Sequence, residues 1–300
     1  MNLRMGTRGS ALALAQSSWL ARELEKRTPG LSVETVVIKT SGDLFQTASP
    51  KEVAALSSGT KGLFVKEIEE ALQKDEIDFA VHSAKDLPAE LASGCVIAAY
   101  PEREDPRDVF IGRDGLSWAA LKAPARVATS SLRRRVQLLA AKPGLELLPM
   151  RGNVDTRVRK LGEGFCDGLI LAAAGLNRLG RGDVQREEVP VDVLVPAPAQ
   201  GALAVEARGD RNDIMELVAK MDHAATRRCV ELERAFLREI GGGCATPLGA
   251  FAAAKGSSLE LRVFWSREDG SGAVRVSRVC PASGDRDSFA ASLAAEIKKR

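Results

Sequence analysis

The chain has 300 residues, 45% hydrophobic and 28% charged, the balance of a globular protein large enough for two or three buried cores. No run approaches the roughly 20 apolar residues of a membrane span, which excludes an integral membrane protein. The 43 basic residues nearly balance the 40 acidic ones, which speaks against a chain that coats nucleic acid. Five scattered cysteines and two histidines, with no CxxC pair, argue against a disulfide scaffold and against a Cys/His zinc site. They fit a reducing cytosol. The N-terminal stretch does not read as a secretory signal, because the short run Ala11–Ala15 meets Gln16-Ser17-Ser18. The expectation is a cytoplasmic monomer without membrane or nucleic-acid partners.

The first quarter alternates strands and helices. Arg4–Thr7 reads as a short strand. Ser10 caps a helix to about Arg27, with Leu12, Ala15, Trp19 and Leu20 as its apolar face. Pro29-Gly30 breaks it, and the β-branched run Val33–Lys39 is a strand. The segment 44–62 is small and polar, a long loop of the kind that carries function or none. Lys66–Lys74 is helical and Ile77–His82 a buried strand. This βαβ pattern predicts a largely parallel sheet.

The pattern then recurs. Arg126–Thr129 is a strand, Ser131 caps a helix to about Ala141, and Pro143-Gly144 breaks it. Leu145–Pro149 is a strand, Asn153 caps a helix to about Leu161, and Asp167–Ala172 is a strand. Gly6–Ser10 sits where Ala128–Ser131 sits, and Ile77-Asp78 where Cys166-Asp167 sits. Two similar α/β domains from a duplication are expected. Beyond Asp222 the grammar changes to a charged helix over about 224–240, three glycines, three strands near 248–253, 259–264 and 274–279, and a last helix from about Asp287. The predicted division is 1–101 with 199–220, then 102–198, then an α+β domain over 221–300.

Charge placement points to chemistry. The chain holds 29 arginines and 14 lysines, and arginine grips carboxylates and phosphates bidentately. Arg133 and Arg134 follow the Ser131 cap, where cations oppose the helix dipole. Arg8 precedes Ser10, Arg151 precedes Asn153, and Arg157 lies one turn inside that helix. Five arginines at three helix N-termini point to a cleft that binds a polyanion with several carboxylates or phosphates. At the end of the Ile77–His82 strand stand Lys85 and Asp86. They form either an ordinary surface turn or a carboxylate that steadies a cation or moves a proton. His82 reads as a packed core histidine. Cys244 follows Gly241-Gly242-Gly243, which leaves it either a nucleophile or attachment point on a flexible turn or a small buried cysteine after a helix cap. These residues alone permit an enzyme or a non-catalytic, two-domain carboxylate-binding protein.

Taken in order, Thr7–Ser10, Lys61–Lys66, His82–Asp86, Arg103–Asp108, Thr129–Arg134, Arg151–Asn153, Leu171–Leu176, Gln200–Ala202 and Gly242–Cys244 resemble porphobilinogen deaminase, also called hydroxymethylbilane synthase. The resemblance implies two α/β domains like those of periplasmic binding proteins, around a cleft, plus a small C-terminal α+β domain. It implies a transferase of haem and tetrapyrrole biosynthesis that joins four porphobilinogen molecules head to tail, releasing ammonia each time, into hydroxymethylbilane. Cys244 would carry one covalent dipyrromethane primer through a thioether. Asp86 would be the catalytic aspartate. Arg8, Ser10, Lys85, Ser131, Arg133, Arg134, Arg151, Asn153, Arg157 and Arg178 would form the site for the carboxylate side chains, and Lys61 would serve from a mobile loop. One departure is Ser57, where many relatives carry a lysine; Lys61 alone, or Lys51, would have to serve.

Overall fold

The computed structural model describes residues 1–41, 65–241 and 246–299. Their contacts group into two units, Met1–Arg103 with Ala202–Arg227, and Glu104–Gly201 with Arg228–Arg300. The chain therefore crosses between units after Arg103 and after Gly201, and again inside a helix that begins at Ala224.

The first unit is built on strands β1 (Asn2–Thr7), β2 (Ser32–Val37), β3 (Phe79–Ser83) and β4 (Cys95–Ala99), joined by β10 (Leu203–Arg208) from far along the chain. Their order is β2-β1-β3-β10-β4. β1 runs parallel to β2 and β3, whereas β10 is antiparallel to both β3 and β4. The strand alternation divides the core between two faces. Phe79, Val81 and Val205 pack with Leu20 and Leu24 of helix α1 (Ala11–Arg27). Ala80 and Ile77 pack with Ile68 and Leu72 of helix α2 (Lys66–Gln73). The Ser10 hydroxyl accepts the Ala13 N–H at 3.2 Å, so the predicted cap forms. The apolar face of α1 is corrected. Gln16, Ser17, Leu20, Ala21 and Leu24 are buried, while Trp19 is exposed. The polar pair turns inward because it has partners there: Ser17 Oγ donates to Thr7 Oγ1 at 2.7 Å and Gln16 Nε2 donates to Ser83 Oγ at 2.9 Å.

The second unit repeats this plan with β5 (Asp108–Gly112), β6 (Arg126–Ala128), β7 (Glu146–Leu148), β8 (Gly168–Ala172) and β9 (Glu187–Glu188), in the order β7-β6-β8-β5-β9. β6 is parallel to β7 and β8, and β5 is antiparallel to β8 and β9. Helices α3 (Leu132–Ala141), α4 (Val154–Gly162) and α5 (Ala173–Arg178) follow β6, β7 and β8. The two sheets share one topology and one local device. Asp78 accepts the Arg4 N–H at 2.7 Å just before β3, and Asp167 accepts the Arg126 N–H at 2.8 Å just before β8. The duplication read from the sequence is present in the fold. The expectation of largely parallel sheets needs one amendment. Each sheet holds an antiparallel strand, β5 or β10, and each is the strand that follows a crossing of the chain.

Helix α6 (Asn212–Val218) completes the first unit, where Ile214 and Val218 join its core. In the second unit a meander of β11 (Leu248–Lys255), β12 (Ser258–Trp265) and β13 (Val274–Cys280) is entirely antiparallel. Helices α7 (Ala224–Ile240) and α8 (Arg286–Lys298) cover it through Phe236, Ile240, Leu293 and Ile297. β11 docks on the 195–196 segment: Ala250 N–H donates to the Pro196 carbonyl at 2.9 Å. A Cβ on Gly249 would stand 2.6 Å from the Val195 carbonyl oxygen, closer than any real contact. Gly249→Ala should therefore destabilise the protein by about 1–3 kcal/mol, the usual penalty of overpacking. Urea unfolding reads this, and an unchanged midpoint would show that β11 is free to shift.

Candidate functional site

In the first unit the parallel pairing of β1 with β3, Gly6 opposite Ala80, brings whatever follows the two strands to one edge of the sheet. Arg8 and the cap Ser10 follow β1; Lys85 and Asp86 follow β3 in a single 3-10 turn, Ala84–Asp86. Arg8 and Lys85 are half-buried and Asp86 is exposed. The turn is pinned by the Ala84 N–H, which donates to the Ala202 carbonyl at 3.0 Å. His82 is buried, as expected, with Nε2 2.9 Å from Glu206 Oε2 on β10. Glu69, whose carboxyl is pushed up chiefly by burial, stands against the same pair.

The second unit assembles its arginines by the same rule. β7, β6 and β8 run parallel, so α3, α4 and α5 all start from one edge, carrying Arg133 and Arg134, Arg157, and Arg178. Ser131 and Asn153 cap α3 and α4, accepting the Arg134 N–H at 3.4 Å and the Thr156 N–H at 2.9 Å. Ser130 laces the loops after β6 and β7 together through the Met150 carbonyl at 2.9 Å. Gly152, at φ +115, makes the turn that carries Arg151 into the cap; a Cβ there would meet Thr156 Cγ2 at 2.9 Å.

Antiparallel β5 begins at this same edge, so its first residue, Asp108, enters the arginine cluster. Asp108 is fully buried. Arg133 Nη1 donates to Asp108 Oδ2 at 2.7 Å and to the Val195 carbonyl at 2.7 Å. Arg134 donates to Asp108 Oδ1 through Nε at 3.1 Å and Nη2 at 2.7 Å, and to the Ile170 carbonyl through Nη1 at 3.1 Å. Burial would raise the Asp108 carboxyl, but the charges and hydrogen bonds of the two arginines outweigh it and hold the group well below the ordinary carboxylate range. Two cations thus share one anion. In this structure the counter-ion of both arginines is the protein's own Asp108, and both side chains are buried.

The remaining cations are less compensated. Arg157 is half-buried, and its one side-chain hydrogen bond among the described residues runs from Nε to the Gly152 carbonyl at 2.7 Å. Burial first, and then the nearby Arg134 charge, lower its pKa. Arg178 is pushed down to about 10 by burial, with the Glu104 charge opposing, and donates through Nη2 to the Gly201 carbonyl at 2.7 Å. Both remain cations at neutral pH. Arg151 is exposed. A carboxylate-bearing group fits this donor set, because desolvated guanidiniums bonded only to carbonyls would gain from an anion. Cys244 and the whole of the 44–62 segment, with Lys51, Ser57 and Lys61, lie outside the described residues.

Sequence reasoning missed the part played by Asp108, and by Gln137 and Gln200 beside it. Gln137, fully buried, accepts the Val195 N–H at 2.9 Å and donates back to the Val195 carbonyl at 3.2 Å. The available signal was Asp108 opening an apolar run, Val109–Ile111, where an aspartate is out of place unless it is paired.

A duplicated α/β fold with arginines gathered at the helix-bearing edge of its second sheet is the build of an anion-binding protein. The chain belongs to the porphobilinogen deaminase family. Residues 3–216 match the porphobilinogen deaminase dipyromethane cofactor binding domain, and residues 227–298 match the porphobilinogen deaminase C-terminal domain. The porphobilinogen deaminase of Trichlorobacter lovleyi is 47% identical over 292 residues, 97% of this chain and 91% of that protein. That of Geobacter sulfurreducens is 48% identical over 275 residues, 92% of this chain and 85% of that protein. A looser likeness, 13% identical with a TM-score of 0.44, links 73% of this chain to 87% of an ancestral cationic amino acid solute binding protein.

The Asp108 node carries a stability consequence. Asp108→Asn should lower the unfolding free energy at pH 7 by about 3–5 kcal/mol, because two buried guanidiniums lose their counter-ion. The Asp108 carboxyl is depressed in the folded state. Its contribution is therefore complete above the unfolded carboxylate pKa and is lost as the pH falls below that range. Urea melts should show the gap between the two proteins narrowing toward acid; a gap that is constant with pH would mean that Asp108 acts through packing alone.

Proposed function

We propose that the chain condenses four porphobilinogen molecules head to tail, with loss of ammonia, into hydroxymethylbilane. The least compensated cations of the second unit carry this reading. Arg157 and Arg178 are desolvated guanidiniums bonded only to carbonyls among the described residues, in a family whose substrate is a dicarboxylate. Cys244 is the attachment point of the dipyrromethane, which when bound supplies the nucleophilic terminal pyrrole on which the chain is built. Arg8, Ser10 and Lys85 in the first unit, and Ser131, Arg133, Arg134, Arg151, Asn153, Arg157 and Arg178 in the second, take up the acetate and propionate groups. Within that set Arg133 acts from behind, through Asp108, and Arg151, Arg157 and Arg178 present donors to the ligand.

Asp86 is the catalytic residue. Departure of ammonia from the aminomethyl group of porphobilinogen leaves a positive charge on the pyrrole and its methylene carbon. A carboxylate placed there stabilises that charge and holds the pyrrole N–H. The 3-10 turn after β3 fixes where Asp86 leaves the sheet, so the group is in place before the charge develops. Lys61, in the segment after β2, adds a cation for the carboxylates. We further propose the three-domain division 1–101 with 199–220, 102–198 and 221–300, and a cytoplasmic monomer. No described helix is long and apolar enough to cross a membrane.

Protein expressed in a haem-making host should be heavier than its sequence by two pyrrole units, and Cys244→Ser should lack the added mass in intact-protein mass spectrometry. An unmodified, fully active protein refutes the reading. Asp86→Ala should turn over about 10²–10⁴-fold more slowly, measured as porphyrin formed after oxidation of the product. Turnover within a few-fold of the parent would remove Asp86 from the chemistry.

A further inference from the structure

The second crossing of the chain, Ala199–Gln200–Gly201, is fastened at each of its three residues. Ala199 sits at φ +60, in the left-handed region, and its N–H donates to Glu233 Oε2 at 2.6 Å. Glu233 lies fully buried on α7, and its other oxygen accepts the Ala252 N–H of β11 at 2.7 Å. Gly201, at φ +88, offers its carbonyl to Arg178 Nη2 at 2.7 Å and to the Glu104 N–H at 3.1 Å. A Cβ on Gly201 would stand 2.4 Å from the Glu104 carbonyl, so only glycine permits this approach. Between them Gln200 is 1% exposed. Its Nε2 donates to the Pro106 carbonyl at 2.8 Å and to Asp108 Oδ1 at 2.9 Å.

Asp108 Oδ1 is the oxygen that also accepts from Arg134 Nε and Nη2 and from Arg133 Nη2. Gln200 brings a donor to that oxygen without bringing charge. Because the same amide is tied to Pro106, the carboxylate cannot turn about its own bond without breaking a buried hydrogen bond, and the forks of both arginines are fixed with it. Arg178 is held by the carbonyl of the next residue. One neutral side chain and the peptide after it therefore stand behind three guanidiniums.

We propose that Gln200 is a positioning residue for anion binding: by fixing the Asp108 carboxylate it sets the orientation of the Arg133 and Arg134 guanidiniums at the site that takes up the ligand's carboxylates. This rests on the function proposed above and goes beyond it by assigning a role to a residue that carries no charge and takes no part in the chemistry.

The test uses the full chain. Gln200→Leu keeps the approximate volume but neither donates nor accepts. The expected result is a KM for porphobilinogen raised about tenfold with kcat within about twofold, the split that marks lost ground-state binding. A second measurement is independent of turnover. In the Cys244→Ser background, calorimetric titration with benzene-1,2,4,5-tetracarboxylate should show binding weakened about tenfold by the same change. If Gln200→Leu does not fold, Gln200→Asn, whose shorter stem withdraws the amide from Asp108, gives the same reading. Wild-type KM and probe affinity in a folded variant overturn the proposal, as does a fall in kcat alone. Should the unaltered protein make no hydroxymethylbilane and bind no tetracarboxylate, the functional reading itself fails, and this inference falls with it.

Discussion

Two buried guanidiniums on one buried carboxylate are the constraint around which the second domain is organised. Removing three charges from water is costly, and only close geometry with saturated hydrogen bonds offsets it. Asp108 meets that demand with donors from Arg133, Arg134 and Gln200. The Val195 and Ile170 carbonyls take up donors the carboxylate does not. The result is a node with one positive charge in excess, set against Arg157, whose own charge is further disfavoured by Arg134. Among the described residues Asp108 is the one carboxylate bonded to the pair.

The node exists because of the way the chain crosses between the units. Each crossing delivers an antiparallel strand, β5 after Arg103 and β10 after Gly201, into a sheet whose other strands near its centre run the opposite way. An antiparallel strand starts where its neighbours end. Its first residues therefore stand at the edge from which the helices leave, among the side chains that follow the parallel strands. In the second sheet that residue is Asp108, opposite Ala172. In the first sheet Leu203 lies opposite Ser83, and the Ala202 carbonyl holds the turn that carries Lys85 and Asp86. Duplication explains why both edges are built alike. The two edges have diverged: the first carries the exposed Asp86 with Arg8 and Lys85, the second the buried Arg133 and Arg134.

Much of this was written in the sequence in plain form. The caps Ser10, Ser131 and Asn153, the helix from Ala224 to Ile240 and the three C-terminal strands depend on short-range chemistry: a hydroxyl or amide facing free N–H groups, apolar residues at a regular spacing, and a glycine or proline to stop them. The correspondence of Asp78 with Asp167 could be read as a repeat before either was seen to accept a strand N–H. The gathering of arginines at helix starts was equally legible, since a cation in that place is an anomaly that calls for a partner.

The identity of that partner was not legible. Asp108 stands 25 and 26 residues from the arginines it neutralises, and Gln200 stands 92 residues from Asp108; no local rule connects them. The inward turn of Gln16 and Ser17, at the expense of Trp19, likewise depends on Thr7 and Ser83, which only the sheet brings near. The sequence by itself determined the elements, their duplication and the kind of charge the edge would carry. The tertiary structure decided which of those charges meet a buried carboxylate and which meet only carbonyls, because that depends on strand direction and burial, and neither is a property of neighbouring residues.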